Sequence, residues 1–226
     1  MKRSGIPYSA VVFLLLAAGL VFFFQVSLDR SLPSEQDERS YLLVPPLEVV
    51  RAVASGFNTV IADVFWLDFL QYNGEKLISD RPYKDEVHNI GAMLFFITDL
   101  DPRFTFAYQF GGWALADAYQ EADAARLLDR GHRALPRDAM IPFQRGFVEF
   151  LFRHDYNEAA RWFMIADRLP GCPPRARRMA ASMYAKVNKK DLARATWQEI
   201  LDQAKDLQTR RIAERHLEML RKEGKK

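Results

Sequence analysis

Apolar residues are distributed along this chain in two different ways. Residues 10–26 form a run of 17 in which Gln25 is the only polar side chain, and a less strict apolar stretch extends over residues 6–28. After residue 46, apolar residues instead recur every three to four positions, which is the period of an amphipathic helix. The pattern predicts one continuous apolar helix near the N-terminus and an all-α domain after it.

The N-terminal run is long enough to cross a membrane, because about 20 helical residues span a hydrocarbon core of roughly 30 Å. Residues 1–28 are therefore expected to be an uncleaved signal anchor. The alternative is a cleaved signal peptide, which would release a secreted soluble adaptor, but residues 22–28 offer no site with the small residues that cleavage requires on either side, and residues 17–19, which are small, lie inside the apolar run. Lys2 and Arg3 favour a cytoplasmic N-terminus and an exported C-terminal domain. Arg30 and Arg39, on the other side of the apolar run, weigh against this orientation.

A polar segment separates this run from the periodic part of the chain. Residues 29–46 are polar and unperiodic, and they end in the stiff pair Pro45 and Pro46. We interpret them as a linker. The remaining residues, 47–226, have the length of one domain.

Within that domain the same kinds of residue recur at a spacing of 34 to 35. The matching positions are Tyr108, Gly112, Leu115, Ala124, Leu128 and Gly131, then Phe143, Phe147, Phe150, Ala159, Phe163 and Ala166, then Ala181, Tyr184, Ala193, Trp197 and Ile200. Small residues let two helices approach closely and large ones fill the space opposite, while Pro136 and Pro170 end helices. A helical bundle with accidental periodicity is the alternative, and the agreement of three registers opposes it.

The pattern resembles the tetratricopeptide repeat (TPR) family over roughly residues 57–205. Residues 155–159, with the sequence DYNEA, match the turn between the two helices of that repeat. The resemblance implies a right-handed superhelical stack of about four antiparallel hairpins. Stacking is what stabilises such hairpins, since none of them can bury its apolar face alone.

The two ends of the stack match less well. Residues 94–102 look like the end of an earlier hairpin, whose first helix would cover residues 57–72 before a break at Asn73 and Gly74 and a long loop over residues 75–82. Residues 208–222 predict one further helix, which we expect to cap the stack with a polar outer face.

Charge is distributed unevenly. The whole chain carries a net charge of +3, but residues 171–226 contain 15 Lys and Arg against 7 Asp and Glu. This basic end suits anionic lipid, an acidic protein surface or nucleic acid, or it is simply a solvated helix surface. No recognition motif supports nucleic acid, which we do not expect as a partner.

The sequence offers little catalytic chemistry. Cys172 is the only cysteine, and the four histidines are not paired at the spacing of metal ligands. Asp63 lies among apolar residues and would need a partner such as Arg51 or a backbone amine, which favours a structural role. We therefore expect no enzyme activity, no cofactor, no metal and no small-molecule substrate.

The family resemblance implies a protein-binding groove on the first helix of each hairpin. Carried over to this chain, the groove positions are Gln109, Trp113 and Asp117 in one hairpin, Gln144, Val148 and Phe152 in the next, and Arg178, Ser182 and Lys186 in the third. Trp113 and Phe152 would be apolar anchors, or they would only pack on neighbouring helices. Arg178 and Lys186 would hold an acidic segment.

Together these features predict a single-pass inner-membrane protein that displays the repeats in the periplasm or its equivalent. Its expected role is a scaffold or assembly factor that binds proteins of a cell-envelope or membrane complex. The alternative is a permanent structural subunit of a membrane assembly, with a Phe-rich surface buried against other subunits and no ligand in the groove.

Overall fold

A computed structural model of the chain describes residues 17, 19–23, 44–78 and 88–223. It divides into two units, Met1–Tyr41 and Leu42–Lys226. In the first unit, residues 17 and 19–23 are helical and exposed. The rest of the expected span over residues 6–28 lies outside the described residues, as does the expected linker up to residue 43. No helix in the described ranges has both the length and the apolar character needed to cross a membrane.

In its described ranges, the second unit contains helices and no strands. The helices are α1 Leu47–Ala54, α2 Asn58–Ile78, α3 His88–Leu100, α4 Thr105–Asp117, α5 Glu121–Ala134, α6 Met140–Phe147, α7 Tyr156–Asp167, α8 Arg175–Lys186, α9 Lys190–Gln203 and α10 Leu207–Glu223. A π-helical turn, Val148–Phe152, continues α6. Successive helices pack as pairs, α2 with α3, α4 with α5, α6 with α7 and α8 with α9.

The N-terminal part of this unit differs from the sequence prediction. A short helix, α1, precedes the first hairpin, and Ser55 and Gly56 turn the chain with φ of 46° and 94°. The guanidinium of Arg51 donates to the backbone carbonyl of Asp99 at 2.7 Å, so Arg51 is not the partner of the Asp63 carboxylate. Asp63 is exposed to solvent and needs no such partner, so the expected pairing of Asp63 with Arg51 was wrong.

The predicted break at Asn73 and Gly74 was also wrong, because α2 continues through both residues to Ile78. Glycine in a helix interior costs only about 1 kcal/mol relative to alanine. Tyr72 and Asn73 are buried, and this tertiary packing outweighs the helix-propensity cost of Gly74, so the helix continues past it.

The turns inside three hairpins repeat one geometry. Tyr119, His154 and Asn188 are all left-handed, with φ of 61°, 55° and 58°. The next amide then bonds back across the helix end, from Gln120 to the Leu115 carbonyl at 2.8 Å and from Lys189 to the Tyr184 carbonyl at 2.9 Å. In the middle hairpin the same bond, from Asp155 to Glu149, reaches one residue further back because the π turn holds an extra residue.

Packing between the paired helices follows the predicted register on the second helices and differs by one residue on α6. A Cβ added to Gly112 would lie 2.8 Å from Leu128, but the equivalent contact in the next hairpin is at Gly146 and not at the predicted Phe147, since a Cβ added to Gly146 would lie 2.8 Å from Phe163. The π turn supplies the extra residue that restores the spacing before α7. Ala124, Ala159, Ala193, Phe163 and Trp197 are buried as the spacing requires. The described part of the unit is therefore a stack of TPR-like hairpins.

The last helix, α10, packs against α9. Ala213 and Leu220 are buried, and the ring of His216 stacks on Trp197 with centroids 4.2 Å apart. Its other face exposes charged residues such as Arg211 and Arg215. The prediction of a helix over residues 208–222 with a polar outer face is confirmed.

Candidate functional site

Predicted groove residues from two neighbouring hairpins form one hydrogen-bonded group. The side-chain amide of Gln109 donates to the Asp138 carboxylate at 3.1 Å. With the Gln144 amide oriented to satisfy both its atoms, its nitrogen donates to the Gln109 carbonyl at 3.2 Å and its oxygen accepts from Trp113 Nε1 at 3.3 Å. These bonds fix the relative position of α4 and α6 at the predicted groove.

The two predicted anchors contact each other. Trp113 and Phe152 meet edge to face with ring centroids 6.2 Å apart, and Trp113 also lies 6.1 Å from the Phe147 ring. Both Trp113 and Phe152 are half-buried, so part of each ring remains available to a ligand. Packing and binding are thus compatible at these two positions.

Val148 is the exception on this face. Its side chain is 1% exposed and belongs to the core cluster that contains Leu115 and Ile141. The resemblance to the TPR family implied a groove position for Val148, but its side chain is buried inside the stack. Val148 is therefore a packing residue and cannot contact a ligand, which corrects the sequence assignment.

The predicted groove residues on α8, Arg178, Ser182 and Lys186, differ in how free they are to bind a ligand. The Ser182 hydroxyl donates to the Arg178 carbonyl at 3.0 Å and is thus satisfied within its own helix. Lys186 Nζ lies 4.7 Å from the Tyr156 ring centroid and 5.8 Å from that of Phe150, an exposed cation–π arrangement. Asp117, at the end of α4, is exposed to solvent.

Arg178 lines an open cleft of about 330 Å³ between α8, the end of α9 and the start of α10. Within this cleft Arg177 is already engaged, with its Nε 2.7 Å from Asp167 and its Nη1 2.6 Å from Gln203. Arg178 and Lys205, by contrast, form no ion pair in the described part of the chain. Two cations without an ion pair at one cleft suit a carboxylate.

Two acidic residues line the cleft, Asp167, which pairs with Arg177, and Asp206, which has a structural role. The Asp206 carboxylate accepts the backbone amide of Thr209 at 2.7 Å and caps the N-terminus of α10. These bonds to Thr209 hold the pKa of Asp206 below its ordinary value. The Asp206 carboxylate is therefore engaged by the helix end, and with Arg177, Arg178 and Lys205 against Asp167 and Asp206 the cleft keeps an excess of one positive charge.

A partly buried network of ion pairs, which was not predicted from the sequence, lies at α6 and the π turn. Arg145 reaches Asp129 at 2.8 Å and Glu149 through its other guanidinium nitrogen, while Arg153 reaches Glu149 at 2.7 Å. Glu149 is 1% exposed and lies in the π turn. Two opposite charges four residues apart in an otherwise apolar helix were the available sequence signal. The network joins α5, α6 and the π turn beside the predicted groove.

In the described ranges, no group of three or more His, Cys, Asp or Glu residues could hold a metal ion. Burial, reinforced by Asp167, raises the pKa of the Cys172 thiol to about 11, so the thiol stays protonated at neutral pH.

No protein-family model matches the sequence, and no curated protein matches it. Among solved structures, the chain is similar to a thermophilic TPR protein of Thermus thermophilus. The identity is 22%, the match covers 76% of this chain and 97% of that one, and the TM-score is 0.43.

Proposed function

We propose that this protein is a membrane-anchored scaffold that binds protein segments on the exported side of a membrane and assists the assembly of an envelope complex. The observation that carries the binding role is the connected set of Gln109, Trp113, Gln144 and Phe152 on α4, α6 and the π turn. A face held in place before a ligand arrives loses less conformational entropy on binding.

The cleft at Arg178 would supply the charged end of the binding face. Arg178 and Lys205 carry positive charge that no ion pair in the described residues neutralises, so an acidic side chain or a C-terminal carboxylate is the expected ligand group. The half-buried Trp113 and Phe152 would take apolar side chains. The preferred ligand is thus a segment with apolar residues and at least one carboxylate.

The membrane location rests on the sequence. Residues 10–26 contain one polar side chain, and Lys2 and Arg3 precede them. On this basis the N-terminus is cytoplasmic and the repeats are periplasmic, or extracytoplasmic in a cell without a periplasm. Extraction at alkaline pH tests the anchor: the full-length chain is expected to stay in the membrane pellet, and a mature chain starting between residues 18 and 28 would contradict it.

A permanent structural subunit is the second candidate function. Phe106 and Phe110 on α4 are both exposed, at 67% and 41%, and a fixed neighbour would cover them. In that case the partner would resist high salt, whereas a carboxylate held by two cations would be released by it.

Charge reversal at the cleft tests the scaffold proposal. Arg178→Glu with Lys205→Glu in the full-length chain is expected to remove the proteins that co-purify with it. Arg211→Glu with Arg221→Glu on the exposed face of α10 is the matched control and should retain them. Equal loss in both double variants would point to a diffuse basic surface, and retention in both would favour the permanent subunit.

A further inference from the structure

One face of α2 packs into the stack, and the opposite face is exposed to solvent. This exposed face is apolar. Phe57, Val60, Val64 and Leu67 are each between 53% and 65% exposed. The carbonyl of Phe57 accepts the first hydrogen bond of α2, from the Ile61 amide at 3.1 Å, so all four residues share one helical frame. We call these four residues the α2 seam.

The other side of the same helix is fixed in the stack. Ala62 and Phe69 are completely buried, and the Trp66 ring lies 5.1 Å from that of Phe69 and 5.4 Å from that of Phe104. The seam therefore cannot turn inward without dismantling the first hairpin. Terminal elements of repeat proteins normally present a polar outer face, as α10 does at the other end.

The seam has the spacing of a coiled coil. Phe57, Val60, Val64 and Leu67 follow the three-then-four alternation of heptad positions a and d over two heptads, about 15 Å of helix. In the same heptads Asp63 occupies position g and Asp68 position e. Positions e and g flank the seam and pair with the partner helix, so their charge selects the partner.

Both of these aspartates are exposed, and neither forms an ion pair within the described part of the chain. The helix carries no Lys or Arg between residues 58 and 74 that could neutralise them. A second copy of α2 would place aspartate against aspartate in either direction, and an anionic bilayer would also be repelled. A basic partner would be attracted.

We propose that the α2 seam docks an amphipathic helix of another protein, with apolar residues at its a and d positions and Lys or Arg at its e and g positions. This surface is separate from the groove residues of α4, α6 and α8. The protein then has two binding surfaces of opposite charge preference, a basic cleft for a carboxylate and an acid-flanked seam for a basic helix.

The test uses two synthetic three-heptad helical peptides that share leucine at positions a and d. One carries Lys at e and g, and the other carries Glu. The full-length chain in phosphatidylcholine nanodiscs is expected to bind the Lys peptide roughly tenfold more tightly at low salt. Asp63→Lys with Asp68→Lys should reverse this preference, while Asp191→Lys with Glu199→Lys, at exposed positions on α9, should leave it unchanged. Circular dichroism checks that each variant is folded.

Equal binding of the two peptides, no binding of either, or an unchanged preference in the Asp63→Lys, Asp68→Lys chain would each overturn the proposal. A nitroxide on Val64→Cys, in a Cys172→Ser background, detects the other occupants. Dipolar broadening between nitroxide labels would identify a second copy of this chain as the occupant of the seam. Shielding of the label by lipid alone would identify the bilayer as the occupant. Either result would overturn the proposal. The Arg178→Glu, Lys205→Glu chain should bind the Lys peptide normally, so that failure of the groove and failure of the seam are distinguishable.

Discussion

Left-handed residues close the turns of three hairpins, and Tyr119 is the least suited of them. Asn and His adopt positive φ more readily than other residues with a side chain, whereas a bulky residue pays a steric cost of about 1–2 kcal/mol. Tyr119 has φ of 61° and is 71% exposed, so its ring gains little from packing. We expect Tyr119→Asn to raise the free energy of unfolding by about 0.5–1 kcal/mol.

Urea denaturation of the two chains measures this change. The matched control is Asn188→Ala, which removes a favourable residue from the equivalent turn and should lower stability by about 1 kcal/mol. A destabilised Tyr119→Asn chain would show that the aromatic ring, and not the turn, determines stability there.

We expect His132 to make the stability of the fold depend on pH. Its ring packs edge to face on Trp162, 5.6 Å away, and burial lowers its pKa although Asp129 acts in the opposite direction. The unfolded chain therefore binds a proton more readily than the folded one, and stability is lost as pH falls below about 6.5. His216, stacked on Trp197, has a pKa lowered by burial and contributes in the same direction.

His132→Phe keeps a ring against Trp162 but cannot be protonated. The drop in urea midpoint between pH 7.5 and pH 5.5 should therefore be smaller in this variant than in the unaltered chain. An identical drop in both would mean that His132 is not responsible.

At the scale of the element, two glycines within helices distinguish the effect of close helix packing from the effect of helix propensity. A methyl group on Gly146 would lie 2.8 Å from the Phe163 ring, which is itself buried between helices, whereas nothing lies within 4 Å of the same position on Gly74. We expect Gly146→Ala to cost about 1–3 kcal/mol and Gly74→Ala to stabilise by about 1 kcal/mol. Thermal unfolding followed by circular dichroism measures both, and destabilisation by both substitutions would contradict the close contact at Gly146.

The hairpins could be predicted from sequence because each one is specified by neighbouring residues. Gly112 with Leu128 and Gly146 with Phe163 lie within one pair of helices, so their spacing is visible along the chain. The continuation of α2 past Gly74 depends instead on tertiary packing, which the local glycine signal opposes. The π turn, which makes the bond from the Asp155 amide reach one residue further back, to Glu149, was not predicted, because a single added residue changes the helical spacing so little.

The candidate site was predictable in part. The resemblance to the TPR family implied Gln109, Trp113 and Gln144 as groove positions on first helices, and the fold brings these three residues together. Spacing does not reveal which side chains a neighbouring hairpin covers, and so Val148 was assigned to the groove. Lys205 was missed because it joins Arg178 only through the fold, from the segment between α9 and α10.

At the scale of the whole molecule, the face formed by the first helices is the expected ligand surface. Photo-crosslinking in the full-length chain tests this most directly, with a photoreactive amino acid at Asp117, Gln144 or Lys186 on first helices. Exposed positions on second helices, Arg126, Arg161 and Leu192, are the matched controls. The same partner should be captured from the three first-helix positions and from none of the controls. Capture with equal yield from both sets, or from the controls alone, would contradict a groove on the first helices.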